Sequence, residues 1–291
     1  MRPTQSSLTA QVIALVRALE SEKPAERRIC YDPYARRFVD DWLYVMAKFF
    51  DKLGYSEARG PGVMGFLTAR ERHIDEYLQK CLAEGLEQLV ILGAGFDARA
   101  YRYAEQLRGV KVFEVDHPAT QRVKTTKVRR IFGELPAHVT YVPVDFDTQS
   151  LADRLTAAGY EPKHKTLFIW QGVTLYLTPE AVDGTLAFVA QQSGPGSAII
   201  FDYMYPSLLD GTVKRGEVSS MRRNRWLSGE EMRFGIPEGT VGAFLEQRGF
   251  CQVQDADARF LHDTYFTGAK AQRTVTKGYA VVSAVVARQG L

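Results

Sequence analysis

The chain has 291 residues, 45% of them hydrophobic, which is enough to bury a full core and excludes disorder as its default state. Its 37 basic and 34 acidic residues leave a net charge of +3 and are interspersed, which gives no polyanion-binding signature and no charged tail. Three cysteines, Cys30, Cys81 and Cys251, are odd in number and far apart, without CxxC or paired Cys/His spacing, so neither a disulfide framework nor a zinc site is expected. No secretory pattern opens the chain, and no apolar run nears the roughly 20 residues that span a bilayer. The expectation is a soluble cytoplasmic protein, with neither nucleic acid nor membrane as partner.

In chain order, Val12, Ile13, Leu15, Val16 and Leu19 recur at helical spacing between Leu8 and Glu20, with Ser6 and Ser7 placed to cap. A second helical region follows Asp32-Pro33 and carries Phe38, Trp42, Leu43 and Met46; a third runs from about Met64 to Leu86. Residues 1–85 thus read as a helical N-terminal extension and lid. From residue 86 the pattern alternates, with strands predicted at Gln88–Leu92, Lys111–Val115, Val139–Val144, Thr166–Trp170 and Ala198–Asp202. Helical stretches such as Ala100–Leu107 and Pro179–Gln192 lie between them. Such alternation predicts an α/β fold, a doubly wound and mostly parallel sheet with helices on both faces. Probable strands at Ala258–Thr264 and Gly278–Ala287, joined by Thr267–Lys277, read as an antiparallel hairpin closing the sheet. Residues 86–291 are then one Rossmann-like domain with a substrate-side insertion at about 203–250, where Arg222-Arg223-Asn224-Arg225-Trp226 reads as a solvated basic face or a phosphate contact.

Chemistry concentrates at the strand ends. Leu89-Val90-Ile91-Leu92-Gly93-Ala94-Gly95 is a strand running into a glycine turn, and Gly93 and Gly95 let the backbone approach a nucleoside cofactor closely. The second strand ends in Asp116, 21 residues after Gly95, where a carboxylate can accept from a ribose diol or start the helix at His117-Pro118. The third ends in Val144-Asp145-Phe146-Asp147. Asp145 can accept from an adenine amino group while Phe146 covers the ring; Asp147 reads equally as a helix cap. Both NAD and S-adenosyl-L-methionine contain adenosine. Asp97 inside the loop disfavours a pyrophosphate and tolerates an ammonium group, which points to the methyl donor.

Across most of its length the chain resembles the leucine carboxyl methyltransferase-like family of class I S-adenosylmethionine-dependent methyltransferases, which includes bacterial O-methyltransferases of polyketides and other small molecules. The runs that carry the resemblance are Arg28 to Ala35, Ala69-Arg70-Glu71-Arg72-His73-Ile74-Asp75, Leu92 to Arg102, Phe113 to Pro118, Gln171 to Leu177 and Phe234-Gly235-Ile236-Pro237, followed by Arg248-Gly249-Phe250. The resemblance implies a seven-stranded sheet, S-adenosyl-L-methionine as cofactor, and an O-methyltransferase. It further implies that Arg70 pairs with the methionine carboxylate, Gly93 and Gly95 form the cofactor loop, Asp116 holds the ribose, and Asp145 with Phe146 contacts adenine. One position departs. The family's glutamate before Gly-Val-Thr, expected at the donor's ammonium, is Gln171 here, and a neutral acceptor should cost roughly 1 to 2 kcal/mol of binding.

Tyr176 is the candidate substrate-side contact, with Tyr203, His117 and His262 as further tyrosine and histidine candidates. Trp42, Tyr44, Phe49, Phe50 and Trp226 are candidate walls of the acceptor pocket. The rival readings are a nicotinamide-dependent oxidoreductase and a non-catalytic binder of S-adenosylmethionine.

Overall fold

The computed structural model describes residues 8–54, 58, 60–145, 148–208 and 232–287. Ser6, Ser7, Phe146, Asp147 and the basic cluster at 222–226 lie outside the described residues.

The helical preface consists of α1 (Leu8–Ser21), α2 (Ala35–Phe38), α3 (Asp41–Lys52) and α4 (Val63–Ala83). Beyond it, strands and helices alternate: β1 (Gln88–Leu92), α5 (Arg99–Arg102), β2 (Lys111–Asp116), α6 (Pro118–Phe132), β3 (Val139–Pro143), α7 (Leu151–Ala157), β4 (Thr166–Trp170), α8 (Pro179–Gln191) and β5 (Ala198–Met204). The chain ends with α9 (Val241–Glu246), β6 (Phe250–Ala256), α10 (Ala258–Tyr265) and β7 (Tyr279–Val286). Helix starts follow local chemistry. Pro118 and Pro179 occupy first turns where a missing N–H costs nothing, and His117 Nδ1, Thr178 and Ser150 accept from backbone N–H groups as caps.

The seven strands are ordered β3-β2-β1-β4-β5-β7-β6. β1 to β5 are parallel and β7 runs antiparallel to both neighbours. β1, β4 and β5 are buried on both faces, as a sheet covered on two sides requires. Successive residues of β1 feed different cores: Leu89 and Ile91 join the preface helices, whereas Val90 and Leu92 join the residues of α7, α8 and α9. The chain reverses direction of strand order between β1 and β4, so the switch point lies beside the glycine loop. Register aligns Leu92 with Val115, Ile91 with Ile169, and Trp170 with Phe201. Continued by one or two residues, it sets Asp116, Gly93, Gln171 and Asp202 side by side along the carboxyl edge.

The C-terminal expectation needs correction. The antiparallel pair exists, but its first strand is Phe250–Ala256, and Ala258–Tyr265 is a helix. The Asp257 carboxylate accepts from Phe260 N and caps that helix, while Leu261 and Tyr265, four residues apart, supply its buried face. β6 is an edge strand with a polar exposed face and a bulge between Cys251 and Gln254, which hid its period. The helix expected over Ala100–Leu107 is a single turn. No helix among the described residues is long and apolar enough to cross a membrane.

Candidate active site

Two adjoining cavities, of about 230 and 360 Å³, open at the carboxyl edge and share Leu92, Gly93 and Val173 as walls. The first is walled by Gly93 to Asp97, Asp116, His117, Arg70, Gln171 to Val173 and Tyr176, and is roofed from the preface by Thr9, Ala10, Ile13 and Arg17 of α1. The second has no charged side chain in its walls and lies among Leu151, Trp170, Leu177, Ala181 and Phe188. Two glycines are required by geometry. A Cβ on Gly93 (φ 65°) would sit 2.3 Å from Val173 Cγ2, and one on Gly95 (φ 42°) would sit 3.2 Å from Ala10 Cβ.

Asp116 braces the loop. Its Oδ2 accepts from Gly95 N at 2.5 Å and its Oδ1 from His117 N at 2.6 Å, leaving lone pairs toward the cavity. Burial outweighs these two bonds and holds its carboxyl above the usual range. Below the loop, Lys124 Nζ reaches Ala94 O at 3.3 Å and pairs with Glu114 at 2.8 Å. Burial is the larger influence on Glu114 and raises its pKa to about 7, although Lys124 pulls the other way.

Behind the loop lies a buried charge network. Arg99, wholly buried, donates Nε to Asp75 at 2.8 Å, Nη2 to Glu71 at 2.7 Å, and Nη1 to both Asp97 and Gln171. Arg17 of α1 donates to Asp32 at 3.0 Å, to Glu71 at 3.3 Å and to the Phe96 carbonyl, which ties the roof helix to the loop. Burial alone would raise the Glu71 carboxyl, but Arg99, Arg17 and Arg70 hold it well below the ordinary range. Asp97, expected to repel a pyrophosphate by its charge, is instead matched by Arg99, so that argument loses most of its force.

Arg70 differs from Arg99. It lines the cavity and is only 2% exposed; its Nη1 bonds Asp202 at 2.6 Å, yet its Nε and Nη2 have no hydrogen-bond partner among the described residues. A buried guanidinium with two open donors fits a carboxylate ligand. Gln171 is fixed in orientation: its Nε2 donates to Glu71 and its Oε1 accepts from Arg99 at 2.9 Å. These groups suit the parts of S-adenosylmethionine, with Arg70 for the carboxylate, the glycine loop for close backbone approach and Asp116 for a diol.

Of the sequence candidates, Arg70, Gly93, Gly95, Asp116, Gln171, Tyr176 and His117 meet at the first cavity. Asp145 is half-buried, its backbone N–H bonded to Gln149 Oε1, and it lines neither cavity. Tyr203 is buried inside β5 with its hydroxyl on Asp255, and His262 of α10 is stacked on Phe266, just past the end of that helix; neither lines the cavity. Trp42, Phe49 and Phe50 point outward from α3, and Tyr44 is buried against Glu22. Sequence reasoning gave no role to Arg17, Glu71, Arg99 or Asp202. Arg17 had left one signal, an arginine four residues after Ile13 on the apolar side of a helix.

Among the described residues no group of three or more His, Cys, Asp or Glu side chains could hold a metal ion. The fold and this cavity are those of an α/β protein that can hold a nucleoside cofactor at its glycine loop. A family profile for leucine carboxyl methyltransferase matches residues 10–190, and the chain belongs to that family of S-adenosyl-L-methionine-dependent enzymes. It is 32% identical over 202 residues to the Bacillus subtilis (strain 168) protein named "Putative S-adenosyl-L-methionine-dependent methyltransferase YktD", covering 69% of this chain and 66% of that one. A Mycobacterium sp. (strain JLS) relative named for the same activity is 30% identical over 270 residues, covering 91% of this chain and 97% of the relative. The crystal structure of a DUF574 family protein from Streptomyces avermitilis matches with a TM-score of 0.57 at 13% identity, covering 97% of this chain and 98% of that one, which shows the shared fold.

Proposed function

We propose that the chain transfers the methyl group of S-adenosyl-L-methionine to a carboxylate or hydroxyl oxygen of a small molecule. The carrying observation is the cavity at the glycine loop, where Arg70 offers two unpartnered buried donors and α1 forms the roof. The donor, when bound, supplies an electrophilic methyl on a sulfonium. Arg70 holds its carboxylate and Asp116 its ribose hydroxyls. Gln171 Oε1, polarised because Glu71 takes its amide N–H, faces the ammonium.

In this reading residues 1–85 act as a lid, with α1 excluding water and Tyr176 contacting the acceptor beside the sulfur. The oxygen lone pair forms the new C–O bond as the S–C bond breaks, so alignment is the protein's main task. A carboxylate, with a pKa near 4, arrives ionised and gives up no proton; a hydroxyl must lose one. His117 is poorly suited as a base, since its Nδ1 already accepts from Ala119 N at 3.2 Å. This favours acidic acceptors.

The test is transfer from methyl-labelled donor to a panel of carboxylic acids, phenols and carbon acids, followed by alkaline treatment. Label released as methanol identifies an ester and supports the reading. Label that resists both alkali and ether cleavage identifies a C-methyl product and refutes it.

A further inference from the structure

Helix α3 is anchored by one face and exposes large apolar side chains on the other. Tyr44 is buried, with its hydroxyl on Glu22, Lys48 pairs with the same carboxylate at 2.6 Å, and Leu43 and Ala47 pack against the core. On the opposite side Trp42 (68% exposed), Val45 (63%), Met46 (47%), Phe49 (59%), Phe50 (36%) and Leu53 (65%) face outward. These are six of the nine large apolar side chains that the described residues expose, so the patch is not surface background. Positions 42, 45, 46, 49 and 53 follow the helical period and form one stripe about 16 Å long. It lies away from both cavities, and the proposed transferase site does not need it.

We propose that this stripe is the interface of a homodimer in which two copies of α3 pack antiparallel across a two-fold axis. A symmetric antiparallel pair centred between Met46 and Phe49 sets Trp42 over Leu53, Val45 over Phe50, and Met46 over Phe49. Each match joins a larger side chain to a smaller or more flexible one, as interdigitation requires. The same arrangement brings Asp41 and the positive end of one helix dipole toward Lys52 and the negative end of the other. The stripe exposes on the order of 600 Å² per copy, so two copies bury about 1,200 Å², the lower bound for a stable assembly. Charge distinguishes this partner from a lipid surface. Asp41 and Asp51 balance Lys48 and Lys52, so α3 has none of the basic excess that draws an amphipathic helix to anionic lipid.

The test is sedimentation velocity on the full chain over a concentration series, with Phe49→Glu beside the wild type. The wild type should sediment at twice the 32.7 kDa chain mass, and Phe49→Glu at that mass with an unchanged circular dichroism spectrum. Independently of that variant's folding, Met46→Cys and Phe49→Cys chains, each in a Cys251→Ser background and mixed, should form a covalent dimer on oxidation, because the remaining native Cys30 and Cys81 are buried. A wild type that stays monomeric at about 100 µM, a dimer that survives Phe49→Glu, failure of the cysteine pair to cross-link, or a monomer that floats with phosphatidylcholine vesicles would each overturn the proposal.

Discussion

Arg99 and Arg70 are almost equally buried, 0% and 2% exposed, yet their surroundings differ in kind. Each nitrogen of the Arg99 guanidinium meets a carboxylate of this chain, whereas Arg70 has one carboxylate, on Asp202, and two donors left over. A saturated buried arginine holds the fold together; an unsaturated one beside a cavity has donors to offer a ligand. Burial alone therefore says little about role, and the count of unmet hydrogen bonds says more.

The strongest way to break this contrast is at Arg99. Arg99→Met leaves Asp97 buried without its ion-pair partner and removes one of the two cations of Glu71 and of Asp75, which keep Arg17 and Arg102, and should lower unfolding stability by roughly 3 to 5 kcal/mol in chemical denaturation. A loss below about 1 kcal/mol, the worth of a surface ion pair, would mean that the network is not a structural hub.

The second prediction concerns the buried pair under the loop. Glu114 titrates near 7 in the fold and in the ordinary carboxylate range when unfolded, so the folded state binds more protons between those values. Stability contributed through this group is then present at low pH and falls as pH rises through about 7, by up to about 3 kcal/mol. Denaturation of wild type and Glu114→Gln from pH 5 to 8 should show that slope only in the wild type. Parallel pH profiles would contradict the assignment.

A smaller effect is expected at Gln171. A glutamate there would sit beside Glu71, so Gln171→Glu alone should change S-adenosylhomocysteine affinity by less than about threefold, with like charges offsetting the stronger acceptor. With Glu71→Gln added, the gain should approach about tenfold. Titration calorimetry of the two variants reads the difference, and a tenfold gain from the single change would show that Glu71 exerts no influence.

Legibility in the sequence followed the range of the interactions. Gly93, Gly95 and Asp116 were readable because a strand, a turn and a second strand end lie close in the chain and in register. The doubly wound class followed from alternation. Asp202 meeting Arg70, Arg17 meeting Glu71, and α1 roofing the loop depend on contacts between distant segments that no local period encodes. Of the closing strand pair only the first member is displaced from its expected place, because the bulged, polar β6 hides its period beside a short capped helix.

The central claim is that the two open donors of Arg70 take the amino-acid end of the cofactor. Calorimetric titration of Arg70→Lys with S-adenosylhomocysteine and with 5′-methylthioadenosine, which lacks that end, addresses it most directly. Lysine keeps a charge for Asp202 but loses the fork. The account predicts at least a tenfold loss for S-adenosylhomocysteine, about one lost charge-assisted bond, with methylthioadenosine affinity unchanged. Equal losses for both ligands, or no loss for either, would contradict it.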